Sequence, residues 1–181
     1  MAVYIALLRS INVGGNSLVK MEELRALFAR LGHTDISTYI QSGNVVFRAK
    51  SGAEARVRAA LEQGILDTFG FPVPVVLRTR GELLRAQERN PFLGETENHK
   101  ELSICFLHDA PTPAAFAKID PDRSPPDECR QLGRELYLRL PNGSGNTKLT
   151  LAYLEKCLGT TGTARNLNTV NKLLEMSGKI A

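Results

Sequence analysis

The sequence predicts an α+β fold made of two related units. Three observations carry that prediction. The chain has 181 residues, 43% hydrophobic and 23% charged, a globular composition at a length that buries about 70% of the unfolded chain's surface. Segments of strand character and helical period alternate as β-α-β-β-α-β through residues 1–90. From residue 91 most of that order recurs, as β-α-β-β-α, without a final strand.

Each element has a local reason. Val3–Leu8 is a short apolar run suited to a strand buried on both faces. Residues 10–19 form a loop through Asn12-Val13-Gly14-Gly15-Asn16. A helix from Lys20 to Leu31 sets Met21, Leu24, Leu27, Phe28 and Leu31 on one face. Glu22 and Glu23 stand in its first turn, and Gly32 stops it. Ile36–Gln41 and Asn44–Ala49 read as strands joined by a two-residue turn, Ser42-Gly43. A helix over 53–69 and a strand over Pro72–Arg78 follow, the prolines assigning that strand to a sheet edge. Gly81–Arg89 is a short helix ended by Asn90-Pro91. This order is the split βαβ, or ferredoxin-like, pattern.

The second half reads as a strand over Leu102–Leu107, a short helix over 112–118, a turn-rich loop over 120–127 and a hairpin of Glu128–Leu132 with Arg134–Leu140 about Gly133. A glycine loop over Asn142–Asn146 precedes helices at Lys148–Leu158 and Thr163–Met176. The expected architecture is therefore a ferredoxin-like unit over 1–90. It is followed over 91–181 by an incomplete β-α-β-β-α unit with an extra C-terminal helix.

Composition excludes several classes. An odd set of cysteines, Cys105, Cys129 and Cys157, with no CxxC spacing argues against a disulfide scaffold or a zinc ribbon. The start lacks a basic region and a cleavage site of signal type, and no apolar run approaches the ~20 residues of a membrane span. The expected setting is the cytoplasm, with no membrane partner. His33, His99 and His108 lack metal-ligand spacing, and no GxSxG, HExxH, GxxxxGK[ST] or GxGxxG occurs. No metal or cofactor is expected, and nothing specifies catalysis. The net charge is +4, too small to mark a nucleic-acid protein by itself. The excess sits in the first half: residues 1–90 carry 12 basic and 8 acidic side chains, and residues 91–181 carry 11 of each.

Topology gathers the polar motifs. A strand–helix–strand crossover makes the first two strands run in the same direction, so both end at one edge of the sheet. The first ends in Arg9, followed by Asn12, Gly14 and Gly15; the second ends in Gln41, Ser42, Gly43 and Asn44. Glycines let a ligand reach backbone N–H groups, and an arginine adds a forked donor for phosphate or carboxylate. Lys20 stands at a helix start, where the dipole disfavours a cation. Ordinary turn chemistry also explains glycine and asparagine in such loops.

In the last helix, Arg165, Asn168 or Thr169, and Lys172 would run along one face. Thr163, Asn166, Asn168, Thr169 and Asn171 are poor helix formers, and a single cap needs one of them. Their excess suggests hydrogen bonding to a ligand, with Arg165, Asn166, Thr169 and Lys172 as the candidates.

Four segments carry a resemblance: Leu7-Leu-Arg-Ser-Ile-Asn-Val-Gly-Gly15, Lys20-Met-Glu-Glu-Leu-Arg25, Thr38-Tyr-Ile-Gln-Ser-Gly-Asn-Val-Val-Phe47 and Thr163-Ala-Arg-Asn-Leu-Asn-Thr-Val-Asn-Lys-Leu173. They resemble the bacterial domain-of-unknown-function 1697 family over nearly the whole chain. Ser10 stands where the resemblance expects glycine, and Leu167 where it expects tryptophan. The resemblance implies a cytosolic bacterial α+β protein built from ferredoxin-like units, and no particular reaction.

Three functions compete. The favoured one is a site for an anionic, phosphate-bearing small molecule. Single-stranded nucleic acid is the less favoured partner: Tyr4 resembles the aromatic of an RNA-binding strand, but aromatics make up only 6% of the chain. An interaction module without ligand, forming a homo-oligomer through sheet faces or edges, is the third.

Overall fold

The computed structural model describes residues 2–49 and 52–181. Among them the chain forms eight strands and six helices in two four-stranded antiparallel sheets. It divides into two compact units, Met1–Leu84 with Lys172–Ala181, and Arg85–Asn171. None of the helices is long and apolar enough to cross a membrane among the described residues.

In unit 1 the elements are β1 (Ala2–Leu8), α1 (Met21–Arg30), β2 (Thr34–Tyr39), β3 (Asn44–Ala49), α2 (Glu54–Phe69) and β4 (Val75–Thr79), with α3 (Arg80–Glu88) crossing the unit boundary. The sheet order is β2-β3-β1-β4. β1 and β2 are both antiparallel to β3, so they run in the same direction and end at the same edge, as the crossover requires. β4 lies at the opposite side of the sheet. It starts later than the sequence suggests because Pro72 and Pro74 cannot donate to a ladder; the Pro74 carbonyl instead accepts from Arg9 N–H at 3.0 Å. Val75 N–H, at the edge, is met by the Glu62 carboxylate at 2.9 Å.

One face of this sheet packs on α1 and α2. Tyr4, Ala6, Leu8, Val45, Phe47, Val75 and Leu77 join Leu24, Leu27, Phe28, Leu61 and Ile65 in one core. Phe47 stacks with Tyr4 at 6.0 Å and takes the edge of Phe28 at 5.0 Å. Ile5, Leu7, Val46, Val76 and Arg78 alternate with these residues and are also at most 1% exposed. β1 is thus a central strand buried on both faces.

Unit 2 contains β5 (Leu102–Leu107), α4 (Pro113–Phe116), β6 (Glu128–Leu132), β7 (Glu135–Arg139), α5 (Leu151–Leu158) and β8 (Gly162–Asn166), followed by α6 (Leu167–Gly178). Its order, β6-β7-β5-β8, repeats that of unit 1 position for position. Cys105, Leu107, Leu136 and Leu138 pack with Leu154 and Leu158 on the helical face. α5 begins at Leu151 with Thr150 as its cap, rather than at Lys148, because the Thr150 hydroxyl accepts from Tyr153 N–H at 3.3 Å.

β8 corrects the expectation of an incomplete second unit. Residues 162–166 do not begin a helix; they pair antiparallel with β5, Phe106 opposite Thr163 and Ile104 opposite Arg165. A central β5 needs a ladder partner on its second side, and β-branched Thr163 suits a strand. The helix starts only at Leu167, where the Asn166 side chain accepts from Thr169 N–H at 2.9 Å.

The same device stands at the end of β4. Thr79 accepts from Glu82 N–H at 3.2 Å, and the Glu82 carboxylate accepts from Thr79 N–H at 2.8 Å, a capping box that starts α3. Thr79 pairs with Tyr4 and Asn166 with Ser103, equivalent places in the two sheets. Thr79→Ala and Asn166→Ala should each cost about 1 kcal/mol. Urea unfolding should show a lowered midpoint with an unchanged slope for both, and Asn166→Asp should retain most of the wild-type stability.

Candidate functional site

The edge where β1 and β2 end is built by one asparagine. β1 stops at Leu8, and the chain then folds through Ser10 (φ 55°), Asn12 (φ 54°), Gly14 (φ 60°), Gly15 (φ 77°) and Ser17 (φ 52°). Positive φ at serine and asparagine is uncommon and needs support from its surroundings. Asn12 supplies it. Its Oδ1 accepts from Val19 N–H at 2.8 Å, and its Nδ2 donates to the Val19 carbonyl at 3.0 Å and the Gln41 carbonyl at 2.8 Å. One amide therefore closes the loop over residues 12–19 and ties it to the turn after β2. Buried Ile11 and Val19 anchor the loop from below.

Gly14 and Gly15 form the exposed tip of a small turn, closed by Asn16 N–H to the Val13 carbonyl at 3.2 Å. The backbone N–H groups of Gly14 and Gly15 meet no protein acceptor among the described residues. Ser10, where the family resemblance expects glycine, occupies a conformation that glycine adopts without strain.

The turn after β2 differs from the expected two-residue turn. Tyr39 pairs with Asn44, leaving residues 40–43 as the connection. Ile40 and Gly43 both have positive φ, 49° and 82°. Asn44, fully buried, donates to the Tyr39 carbonyl at 2.9 Å and to Ser42 Oγ at 3.0 Å, which holds this longer turn closed. The Gly43 carbonyl accepts from Leu8 N–H at 2.8 Å, so the turn lies directly on the end of β1. A Cβ at Gly43 would come within 2.7 Å of Leu8 Cβ and Ile11 Cδ1.

Arg9 follows β1 and is half-buried. Lys20 is 83% exposed and pairs with Glu23 at 3.7 Å, which offsets its place at the start of α1. Lys172, on the part of α6 that belongs to unit 1, hydrogen-bonds Glu175 at 2.8 Å. That bond, with a smaller contribution from Tyr39, raises the pKa of Lys172; Lys172 and Lys179 hold the Glu175 carboxyl at about 2. Arg25 also reaches this side, donating to Thr38 Oγ1 at 2.7 Å near the end of β2. Arg25 and Tyr39 are not among the residues expected from the sequence. The signal available for both was membership of the segments that carry the family resemblance.

Arg165, Asn166 and Thr169 belong to unit 2. Arg165 lies in β8, so it does not share a helical face with Thr169 and Lys172. It is 8% exposed and donates to Thr163 Oγ1 at 2.7 Å and the Ala164 carbonyl at 2.8 Å. Burial lowers its pKa to about 10, and it remains a cation at neutral pH. Thr169 is buried and Asn166 is the helix cap, roles that account for part of the Thr/Asn excess. Leu167, where the resemblance expects tryptophan, is fully buried.

Tyr4 and Phe47, the aromatics of two neighbouring strands, are also committed. Tyr4 is 7% exposed and Phe47 is 0%, both within the helix-side core of unit 1. No cluster of His, Cys, Asp and Glu that could hold a metal occurs among the described residues.

Fold and edge together define a two-unit α+β protein with antiparallel sheets and a polar, glycine-tipped loop at the end of a central strand. The chain belongs to the family described as "Protein of unknown function (DUF1697)", whose model matches residues 1–137. A search of the curated proteins gives no match. Among solved structures, the conserved bacterial protein SP0830 from Streptococcus pneumoniae is similar at a TM-score of 0.72 and 22% identity, over 98% of this chain and 99% of that one. That likeness is one of fold.

The two kinds of glycine separate experimentally. Gly43→Ala combines positive φ with a clash against the Leu8 and Ile11 side chains and should cost roughly 2–4 kcal/mol. Gly14→Ala meets open space and should cost about 1 kcal/mol from φ alone. Urea denaturation of the two variants measures the difference.

Proposed function

We propose that each sheet with its helices is a ferredoxin-like unit, and that unit 1 binds an anionic, phosphate-bearing small molecule where β1 and β2 end. The setting proposed is the bacterial cytoplasm, as the family resemblance implies. The observation that carries the binding reading is the cost of the loop. Ser10, Asn12 and Ser17 at positive φ are held by the Asn12 amide, and the loop so held leaves the N–H groups of the exposed Gly14 and Gly15 without a protein acceptor among the described residues. Backbone conformations of this kind concentrate at ligand sites, where preorganisation offsets their strain. Exposed N–H groups without an acceptor suit phosphate oxygens, which accept several hydrogen bonds at once. Lys20 supplies an exposed cation on the same loop, and its 3.7 Å contact with Glu23 is weak enough to exchange for a ligand anion.

The chemistry supported at this edge is recognition. A thermal-shift panel of nucleotides and sugar phosphates tests it. A ligand at 100 times its Kd adds ~2.7 kcal/mol, which for a chain of this size raises Tm by roughly 5–10 °C. The shift should shrink in Lys20→Ala and in Gly14→Pro, which distorts the tip. A panel that leaves the wild type unmoved, or that moves both variants as much as the wild type, rejects the site.

A further inference from the structure

We propose that unit 2 carries a separate site for an organic cation, a small amine with an apolar body, in the cavity between the end of α4 and the start of β6. The cavity has a volume of about 440 Å³, inside the ~300–1,000 Å³ range of small-molecule pockets. Its apolar lining comes from Phe116, Ile119, Leu149 and Cys129. Ile119 and Leu149 are each 6% exposed, so this lining is continuous with the core of unit 2. Burial pushes the Cys129 thiol pKa up, and the thiol adds no charge.

The polar lining is of one sign. Asp120, Asp127 and Glu128 line the cavity, and among the described residues no Lys, Arg or His does. Glu128 is already matched: Oε1 accepts from Arg139 at 2.9 Å, and Oε2 stands 3.6 Å from Arg130. The two aspartates are not. Asp120 Oδ1 accepts from Asp122 N–H at 2.9 Å, and Asp127 Oδ2 accepts from the Ser124 hydroxyl at 2.7 Å. The second oxygen of each has no protein partner among the described residues, and neither carboxylate is in an ion pair there.

Arg123, which lies between the two aspartates in sequence, is held elsewhere. Arg123 donates Nε–H to the Lys148 carbonyl at 2.9 Å, and its guanidinium stacks 3.8 Å over the Tyr153 ring. The Tyr153 hydroxyl in turn accepts from Asp120 N–H at 2.9 Å, fixing the backbone that carries Asp120. An apolar floor with two oriented, unneutralised carboxylates selects a ligand with one apolar end and one ammonium. A carboxylate or phosphate ligand would meet like charge.

An NMR titration of the full chain tests this with benzylammonium, benzyl alcohol and benzoate as probes. Benzylammonium should shift the amides of residues 116–120, 127–129 and 149, with an affinity at least tenfold above that of benzyl alcohol. Benzoate should shift none of them. Asp120→Asn with Asp127→Asn keeps acceptors for Asp122 N–H and the Ser124 hydroxyl while removing both charges; in it benzylammonium and benzyl alcohol should bind alike. Equal affinities for benzylammonium and benzyl alcohol in the wild type overturn the proposal. So does a preference that survives the double substitution, or a response confined to other residues. Should the double variant fail to fold, the comparison of the three probes on the wild type decides alone.

Discussion

A central strand must be hydrogen-bonded along both sides, and each unit is organised around that demand. β1 lies between β3 and β4, and β5 lies between β7 and β8. The consequences repeat in register. Ile5 pairs with Arg78 and Ile104 with Arg165; each arginine is buried and donates Nη1 to the carbonyl of the residue before it. A buried guanidinium is costly unless its donors are met, so this local bond helps satisfy a group that could not otherwise stay inside. On the other side, Val3 pairs with Arg48 and Leu102 with Arg139, and each of these arginines reaches a carboxylate on the neighbouring strand, Asp35 or Glu128, at 2.9 Å. Matching side chains at matching ladder positions are hard to obtain from topology alone. They support an internal duplication whose sequence identity has faded while its polar pairings have persisted.

The same strand order places the candidate edge in unit 1. With β1 and β2 ending together, the chain leaving β1 must turn beside the link between β2 and β3. Asn12 satisfies both loops with one side chain, and Gly43 allows the link to press against Leu8 and Ile11. Polar residues that look like ligand donors in the sequence are therefore divided. Asn12 and Asn44 face inward and serve the backbone; Gly14, Gly15 and Lys20 face outward. The inward set makes the outward set rigid, and preorganisation of this kind is what a weakly basic loop needs to bind an anion in water.

Much of this was legible in the sequence, and the failures have physical causes. Val3–Leu8 and Asn44–Ala49 are apolar and β-branched, and their fold follows from that. β8 is different. Its buried residues are Gly162, Thr163 and Arg165, so no hydrophobic alternation marks it, and the helical spacing of Leu167, Val170 and Leu173 can be extended backward through it. The missing signal was topological: a central β5 flanked on one side only leaves its remaining N–H and C=O groups unmatched. At the edge, the glycine turn is a local property and readable. The role of Asn12 depends on where the Gln41 carbonyl lies, 29 residues away, which no local pattern encodes.

Net charge is a poor guide to ligands here, and the local partners show why. At physiological salt a charge is felt over about 8 Å, so a ligand senses the groups lining its own site and little of the chain's +4. Within that range the question is which charges are already matched. Lys172 is bonded to Glu175 and Glu128 to Arg139, and both contribute little to recruiting an ion from solution. Among the described residues Lys20 keeps only a 3.7 Å partner, and Asp120 and Asp127 each keep an oxygen without one. A mildly basic protein can therefore offer an anion site on one unit and a cation site on the other. On the two proposals above, the sign of each ligand would follow from the hydrogen bonds that the fold has left unmade.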